Sequence, residues 1–305
     1  MLNGVRIGII GTGWVGSSVA ISTLHAGIAE ELLLHDVRPD VADGEALDLA
    51  HGAAFYPSAS VRSVPLEELR QTDAVVIAAG RGSRPGETRL DLLRDNARTI
   101  RQIADRFREY NGLVVVVTNP VDVLTYQFAV ASGLPHAKVI GTGTMLDTAR
   151  LRQVVGRTLR IAPQSIHAQV VGEHGDSEVV LWSSARVAGV ALRSWPEWSA
   201  QVEHRLAEEV RRAAYEIIRR KGATNHAIGL VTATLLRVVL RGENRVLTVS
   251  RVQNGTLDIR DVALSLPAVV GKLGAVDVVA PELSDAEREQ LTRSVDVLRQ
   301  ATAAL

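Results

Sequence analysis

The chain has 305 residues, of which 46% are hydrophobic and 22% charged, as in ordinary globular proteins with room for two packed domains. Its 34 basic residues balance its 34 acidic ones, which excludes a global charge that would favour nucleic acid or a membrane surface. It has no cysteine, no signal-peptide pattern and no apolar run of the ~20 residues that a membrane helix needs. We therefore expect a cytoplasmic protein whose partners are small molecules and copies of itself.

The first predicted element is a strand over residues 5–10 that runs into the sequence GTGWVG at 11–16 and then into a helix. In such a motif Gly11 permits a tight turn, Gly13 lets the backbone approach a pyrophosphate, and Gly16 allows close helix–strand packing. The helix N-terminus adds free N–H groups and a positive dipole end. The pattern favours a dinucleotide site, although an ordinary turn has the same glycines.

The rest of the first half alternates strands with helices. Further strands are predicted at 31–34, 61–64, 74–80, 113–117 and 138–140, with helices at 43–53, at 90–110 and from 121. This alternation predicts an α/β fold with a Rossmann-type doubly wound parallel sheet, in which ligands bind beyond the carboxyl ends of the strands.

The acidic residue Asp36 follows Gly16 by twenty residues, after the second strand. A carboxylate there accepts hydrogen bonds from the adenine-ribose hydroxyls and repels a 2′-phosphate, so we predict NAD as the cofactor. The alternative is a solvated turn carboxylate. The predicted cofactor contacts are Gly11, Gly13, Val15, Gly16, Asp36, Gly80, Asn119 and Thr142.

The second half has a different pattern of long helices mixed with strands. Helices are predicted at 145–159, 199–221, 225–240 and 285–303, and strands at 165–171, 245–252 and 262–268. We predict an NAD-binding domain over residues 1–143 and a mixed α+β substrate domain over residues 144–305. The site should lie in the cleft between them.

Three polar clusters stand beside residues that should be buried. His174 lies between glycines after a strand, where it suits acid–base chemistry near neutral pH, although a structural histidine or a metal site with neighbouring carboxylates remains open. Asp147 and Arg150 share one helix face. They are either a surface ion pair or functional groups, in which case Asp147 orients an imidazole and Arg150 binds a substrate carboxylate. Residues 80–89 form a Gly- and Arg-rich loop, either a closing lid or a solvated loop.

Taken together, the motifs resemble the L-lactate/malate dehydrogenase family. The sequences GTGWVG, PGETRLDLL, TNPVD, GTGTMLDTAR, GEHGDSE and KGAT recur in that family's order and spacing over almost the whole chain. The resemblance implies His174 as proton donor and acceptor, oriented by Asp147. It implies Arg150 as the ligand of the substrate carboxylate and Arg89 as the group that polarises the reacting carbonyl. The pocket is implied to include Asn119 and Thr224.

One position departs from the family pattern. Six residues before Arg89, lactate dehydrogenases usually carry glutamine and malate dehydrogenases arginine, whereas this chain has Ser83. Serine offers no charge that could pair with a second carboxylate of the substrate, so pyruvate is the predicted substrate. We predict no metal site. Malate dehydrogenase or broad-specificity activity is the alternative, because the pocket is larger and Arg81 or Arg84 could supply a cation.

Two further residues, Arg152 and His167, match positions where allosteric bacterial members bind fructose 1,6-bisphosphate at a subunit interface. The resemblance thus implies this effector and a homotetramer. NAD-dependent glycosidases share the fold but need a cysteine-bound metal, which this chain cannot form. A non-catalytic NAD-binding protein would not need Arg89, Asp147 and His174 together.

Overall fold

A nine-stranded sheet runs through the protein, whose structure is a computed structural model that describes residues 4–82, 88–196 and 198–305. The first six strands are parallel to one another and lie in the order β3-β2-β1-β4-β5-β6. They are β1 (Arg6–Ile10), β2 (Glu31–His35), β3 (Ser60–Ser63), β4 (Ala74–Ile77), β5 (Leu113–Val116) and β6 (Val139–Gly141). This order confirms the predicted doubly wound sheet.

Helices connect these strands and cover both faces of the sheet. Those of the first half are α1 (Trp14–His25), α2 (Pro39–His51), α3 (Arg89–Arg106) and α4 (Val121–Ser132). On one face α3 and α4 pack against the sheet through residues such as Phe107 and Phe128, which are fully buried. On the other face α1 packs with a later helix, through residues such as Leu24 and Leu235.

The second half adds its own helices and three more strands to the same sheet. The helices are α5 (Met145–Leu159), α6 (Ala200–Lys221), α7 (His226–Arg241) and α8 (Asp285–Ala303), and the added strands are β12 (Arg245–Asn254), β13 (Arg260–Gly271) and β14 (Gly274–Val278). These strands are antiparallel, and β12 joins β6 through the pairing of Ser250 with Gly141. The two halves therefore share one sheet, and the boundary at residue 143 stays a prediction.

The predicted single strand at 165–171 is wrong in detail. The chain forms two short strands there, which belong to different sheets, because it changes partners at Ala168 and Gln169. The short strands of this region are β7 (Ile166–His167), β8 (Val170–Val171), β9 (Val179–Val180), β10 (Arg186–Val187) and β11 (Val190–Ala191).

The short strands β7, β8 and β10 pack with α5 and α6 around a third core, which includes Leu151, Ile166 and Val210. This core fixes α5 and the loop after β8 relative to each other. None of the helices within the described ranges combines the length and apolar content that crossing a bilayer demands.

Candidate active site

His174 and Asp147 form a hydrogen-bonded pair near the carboxyl end of the parallel sheet. Asp147 lies in the first turn of α5, directly beyond β6, and is 2% exposed. His174 lies in the loop over residues 172–178, called here the His174 loop, between β8 and β9. The distance from His174 Nδ1 to Asp147 Oδ2 is 2.5 Å. Because Nδ1 faces the carboxylate, Nε2 is the nitrogen left for a substrate.

The charges around this pair favour a protonated imidazole. Burial by itself lowers the pKa of His174, because a buried imidazolium loses its water. The charge of Asp147, its hydrogen bond and the charge of Asp122 outweigh burial and raise the pKa of His174 to about 9. Burial also disfavours the Asp147 carboxylate, but the charge of His174 and that of Arg150 hold the pKa of Asp147 below its usual value.

Arg150 completes an acid–base cluster, defined here as His174, Asp147 and Arg150. Its Nη1 donates to Asp147 Oδ1 at 2.9 Å, so the two oxygens of Asp147 bind the two cations separately. The Arg150 side chain is 14% exposed and borders a surface cavity against α6. The predicted surface ion pair is thus the less suitable interpretation, because the pair is mostly buried.

Two further carboxylates lie close to the cluster. The sequence interpretation missed Asp122, and it considered Glu178 only as one ligand of a possible metal site. Asp122, in the first turn of α4, accepts a hydrogen bond from the backbone N–H of His174 at 2.7 Å. Glu178, 5% exposed, ends the His174 loop, and burial followed by the charge of Asp147 raises its pKa to about 8. The only available signal was their presence in the quoted TNPVD and GEHGDSE motifs.

The other carboxylates of the His174 loop have local partners. Glu173 accepts from the backbone N–H of Ser177 at 3.2 Å and from the Ser177 hydroxyl, and the Tyr215 hydroxyl donates to Asp176 at 2.7 Å. Across the described ranges, no group of three or more His, Cys, Asp or Glu side chains is arranged to hold a metal ion.

The glycine turn, defined as residues 11–16, joins β1 to α1 in a closely packed conformation. Gly11 has a φ of +92°, and a Cβ on Gly16 would lie 1.9 Å from the carbonyl oxygen of Gly11. In contrast, a Cβ on Gly13 would meet no atom of the described residues within 4 Å. The backbone at Gly13 is therefore open to a pyrophosphate, which would also meet the N-terminus of α1.

Asp36 follows β2 and faces the glycine turn. Its Oδ2 accepts from the backbone N–H of Thr12 at 2.9 Å, and its Oδ1 accepts from that of Arg38 at 3.0 Å. Burial opposes the charge, but these hydrogen bonds and the charge of Arg38 hold the pKa of Asp36 below its usual value. The Asp36 side chain is 10% exposed, which does not fit a solvated turn carboxylate, and its predicted contact with ribose hydroxyls stays a prediction.

A cavity of about 890 Å³ lies beside these groups and is lined by predicted cofactor residues from three strand ends, namely Gly11, Gly13, Asp36 and Gly80. Val15 is half-buried in the first turn of α1, and Thr142 is 3% exposed directly after β6. These lining residues are compatible with a dinucleotide, and the placement of its pyrophosphate at the glycine turn and of its ribose at Asp36 stays a prediction.

Asn119 stands after β5, and α3 holds its backbone. The amide nitrogen of Asn96, a residue 2% exposed on α3, donates to the carbonyl oxygen of Asn119 at 3.0 Å and to that of Arg81 at 3.3 Å. Asn96 thereby ties the chain after β4 to the chain after β5. Sequence interpretation did not single it out.

The structure describes several of the predicted substrate residues only in part or not at all. Ser83, Arg84 and the side chain of Arg89 lie outside the described residues, so their predicted roles stay predictions. Arg81 Nη2 donates to Asp95 Oδ2 at 2.7 Å, so the Arg81 guanidinium forms an ion pair with a residue of α3. Thr224 is half-buried between α6 and α7, next to Asn225, which binds Ser18 of α1.

The predicted effector residues lie near each other. Arg152 Nε donates to the carbonyl oxygen of Ala168 at 3.1 Å, and Ala168 follows the exposed His167. Burial, followed by the charge of Arg245, lowers the pKa of Arg152. A second arginine therefore contributes to the positive charge at this place.

The sequence matches known families over nearly its full length. Residues 5–141 match the NAD-binding domain of lactate/malate dehydrogenases, and residues 144–304 match their alpha/beta C-terminal domain. The L-lactate dehydrogenase of Synechococcus sp. (strain JA-3-3Ab) is 43% identical over 96% of each chain. That of Bacillus caldolyticus is 42% identical over 98% of this chain and 97% of its own.

Solved structures of lactate dehydrogenases are similar to this chain as well. The ligand-bound minor L-lactate dehydrogenase of Enterococcus mundtii superposes with a TM-score of 0.96 at 38% identity, over 99% of this chain and 98% of that one. A lactate dehydrogenase from a Medee basin deep-sea metagenome library gives 0.95 at 39% identity, over the same shares. With its NAD-binding domain, its doubly wound sheet and its hydrogen-bonded histidine–aspartate pair, the chain belongs to the lactate/malate dehydrogenase family.

Proposed function

We propose that the chain is an NAD-dependent L-lactate dehydrogenase that catalyses reversible hydride transfer between NADH and pyruvate. The observation that carries the proposal is the 2.5 Å pair of His174 and Asp147, with Arg150 on the other oxygen of Asp147. A proton donor and a cation that can bind a carboxylate therefore stand together, as a 2-oxo acid requires. The relatives named above, which are L-lactate dehydrogenases, support the same reaction.

When bound, NADH supplies the hydride that is added to the carbonyl carbon. The Arg150 guanidinium binds the substrate carboxylate through two parallel hydrogen bonds, which orients the carbonyl. His174 donates its Nε2 proton to the carbonyl oxygen, so that pyruvate, hydride and proton give L-lactate. Asp147 keeps Nδ1–H directed toward itself throughout and stabilises the charged imidazole. Arg89 is proposed to polarise the carbonyl as charge develops on its oxygen.

The pKa of His174 determines how the rate in each direction depends on pH. With this pKa near 9, the imidazole is mostly protonated at pH 7, which is the form that carbonyl reduction uses. Oxidation of L-lactate needs the neutral imidazole as a base and should therefore accelerate as the pH rises toward 9.

Comparing kcat/KM for pyruvate, oxaloacetate, 2-oxobutyrate and phenylpyruvate with NADH tests the substrate. We expect pyruvate to exceed oxaloacetate, because serine at position 83 carries no charge for a second carboxylate. Oxaloacetate ahead of pyruvate by tenfold, or about 1.4 kcal/mol, would contradict the lactate assignment and favour malate dehydrogenase. A preference for phenylpyruvate would favour the broad-specificity alternative, since serine is smaller than glutamine.

We also propose a homotetramer with an anion site for fructose 1,6-bisphosphate at a subunit interface. The support is the proximity of Arg152 to the strand of His167 and the additional charge of Arg245. A cytoplasmic location belongs to the same proposal, because the reaction consumes free NADH. Activity at low pyruvate should rise on adding the bisphosphate, and sedimentation should give four chains. A response that survives Arg152→Ala would contradict the assigned site.

A further inference from the structure

Asp122 is a buried carboxylate that reaches the acid–base cluster from a different helix than Asp147 does. It is 2% exposed in the first turn of α4 and makes no side-chain cap for that helix. Its Oδ2 accepts the backbone N–H of His174 at 2.7 Å, across 52 residues of sequence. Its Oδ1 makes no hydrogen bond of normal geometry within the described ranges, although the nearby Ser250 hydroxyl lowers the pKa of Asp122 as a hydrogen-bond donor.

A charged carboxylate in this buried position lowers the stability of the folded chain. Burying a charge without a full set of partners is strongly unfavourable, and the N-terminus of α4 offsets only a part of that cost. An asparagine would satisfy the same backbone N–H through its amide oxygen without a charge to bury. The charge itself therefore needs a use beyond the hydrogen bond.

We propose that Asp122 is a positioning residue, which fixes the main chain of His174 and adds a second negative charge that keeps the imidazole protonated. The catalytic part of this inference rests on the proposed function. Asp147 orients the ring from α5, and Asp122 holds the peptide that carries the ring from α4. The two carboxylates thus fix the imidazole from its two ends.

Other charges face the same groups and set the balance. Arg150 from α5 opposes protonation of His174, while Glu173 and Glu178 belong to the His174 loop itself. The charge of Asp122 contributes to raising the pKa of His174, and burial raises the pKa of Asp122 to about 6. At neutral pH Asp122 is therefore largely charged, which is the state that the inference requires.

The test compares Asp122→Asn with Ser250→Ala, a neutral change beside the same carboxylate. The first readout is the pH dependence of diethylpyrocarbonate modification of His174, followed by mass spectrometry of its peptide, because this reagent attacks only neutral imidazole. It needs no turnover, so its result stands even if pyruvate is not the substrate. The second readout is the pH profile of kcat/KM for pyruvate, with the Kd of NADH measured alongside.

We expect Asp122→Asn to shift both profiles to lower pH by about one unit, as the loss of one nearby charge predicts. NADH affinity should be unchanged. Ser250→Ala should follow the wild-type profiles near pH 9, because Asp122 stays charged there even without the hydroxyl that lowers its pKa. Profiles of Asp122→Asn that superpose on those of the wild type would overturn the proposal. If neither Asp122→Asn nor Asp122→Ser folds while Ser250→Ala does, Asp122 serves stability alone, which also overturns it.

Discussion

The acid–base cluster and the glycine turn lie at the same edge of the sheet but are built in opposite ways. In the cluster, charged side chains from α4, α5 and the His174 loop converge and shift one another's pKa. In the glycine turn, the lack of a side chain at Gly13 leaves backbone N–H groups and open space among the described residues, and Asp36 is a charged partner of Thr12.

The difference separates what each region contributes. Long-range contacts between helices fix the cluster, so a single substitution there should change the chemistry and leave cofactor binding intact. Local backbone geometry fixes the glycine turn, so a substitution there should change cofactor affinity and stability before it changes the chemistry.

The largest expected effect is that of His174→Ala. Without the proton donor, kcat for pyruvate reduction should fall by about 10²–10⁴-fold, while the Kd of NADH, followed by its fluorescence, stays near the wild-type value. His204→Ala, which removes an exposed histidine of α6, is the matched control. Loss of NADH binding in His174→Ala would show that the two regions are not separable as described.

Gly16→Ala addresses the glycine turn. Its new methyl group would sit 1.9 Å from the carbonyl oxygen of Gly11, so the turn must shift. We expect the free energy of unfolding to fall by about 1–3 kcal/mol and the Kd of NADH to rise. Gly44→Ala is the control, since its methyl group, on the exposed side of α2, meets no atom of the described part of the chain within 4 Å. That variant should gain about 0.5–1 kcal/mol in chemical denaturation. Equal effects of the two changes would contradict the packing assigned to Gly16.

A smaller effect is expected for Asp36→Ser. Removing the carboxylate removes the repulsion of a 2′-phosphate, so the ratio of kcat/KM with NADPH to that with NADH should rise about tenfold, or ~1.4 kcal/mol. Steady-state kinetics with both cofactors at one pyruvate concentration measure this ratio. An unchanged ratio would mean that Asp36 does not face the ribose.

The sequence predicted the parallel half of the fold because its signals are local. Continuous apolar runs marked β4 and β5, and glycines marked the turn after β1, each within a few residues of the observed bounds. The pairing of β12 with β6 was not predictable in this way, because the hydrophobic pattern of a strand does not name its neighbour. The split of 165–171 between two sheets was missed for the same reason.

The site residues also differ in whether local sequence signals could predict them. Gly11, Gly13 and Asp36 were predicted from spacing alone. Spacing left Asp147 open between a surface ion pair and a group that orients an imidazole, and only the resemblance to a family favoured the second. Asp122 was missed because its contact is with a backbone N–H 52 residues away, which no spacing rule indicates. Residues that act through tertiary contacts need coordinates.

The most direct test of the account is the pH dependence of kcat/KM for pyruvate in the wild type and in Asp147→Asn. The account predicts that wild-type activity persists through neutral pH and declines near pH 9, where His174 loses its proton. In Asp147→Asn the decline should move to lower pH, with a lower maximum. A wild-type decline already centred at about 6.5, the ordinary histidine value, or an Asp147→Asn profile identical to it, would contradict the account.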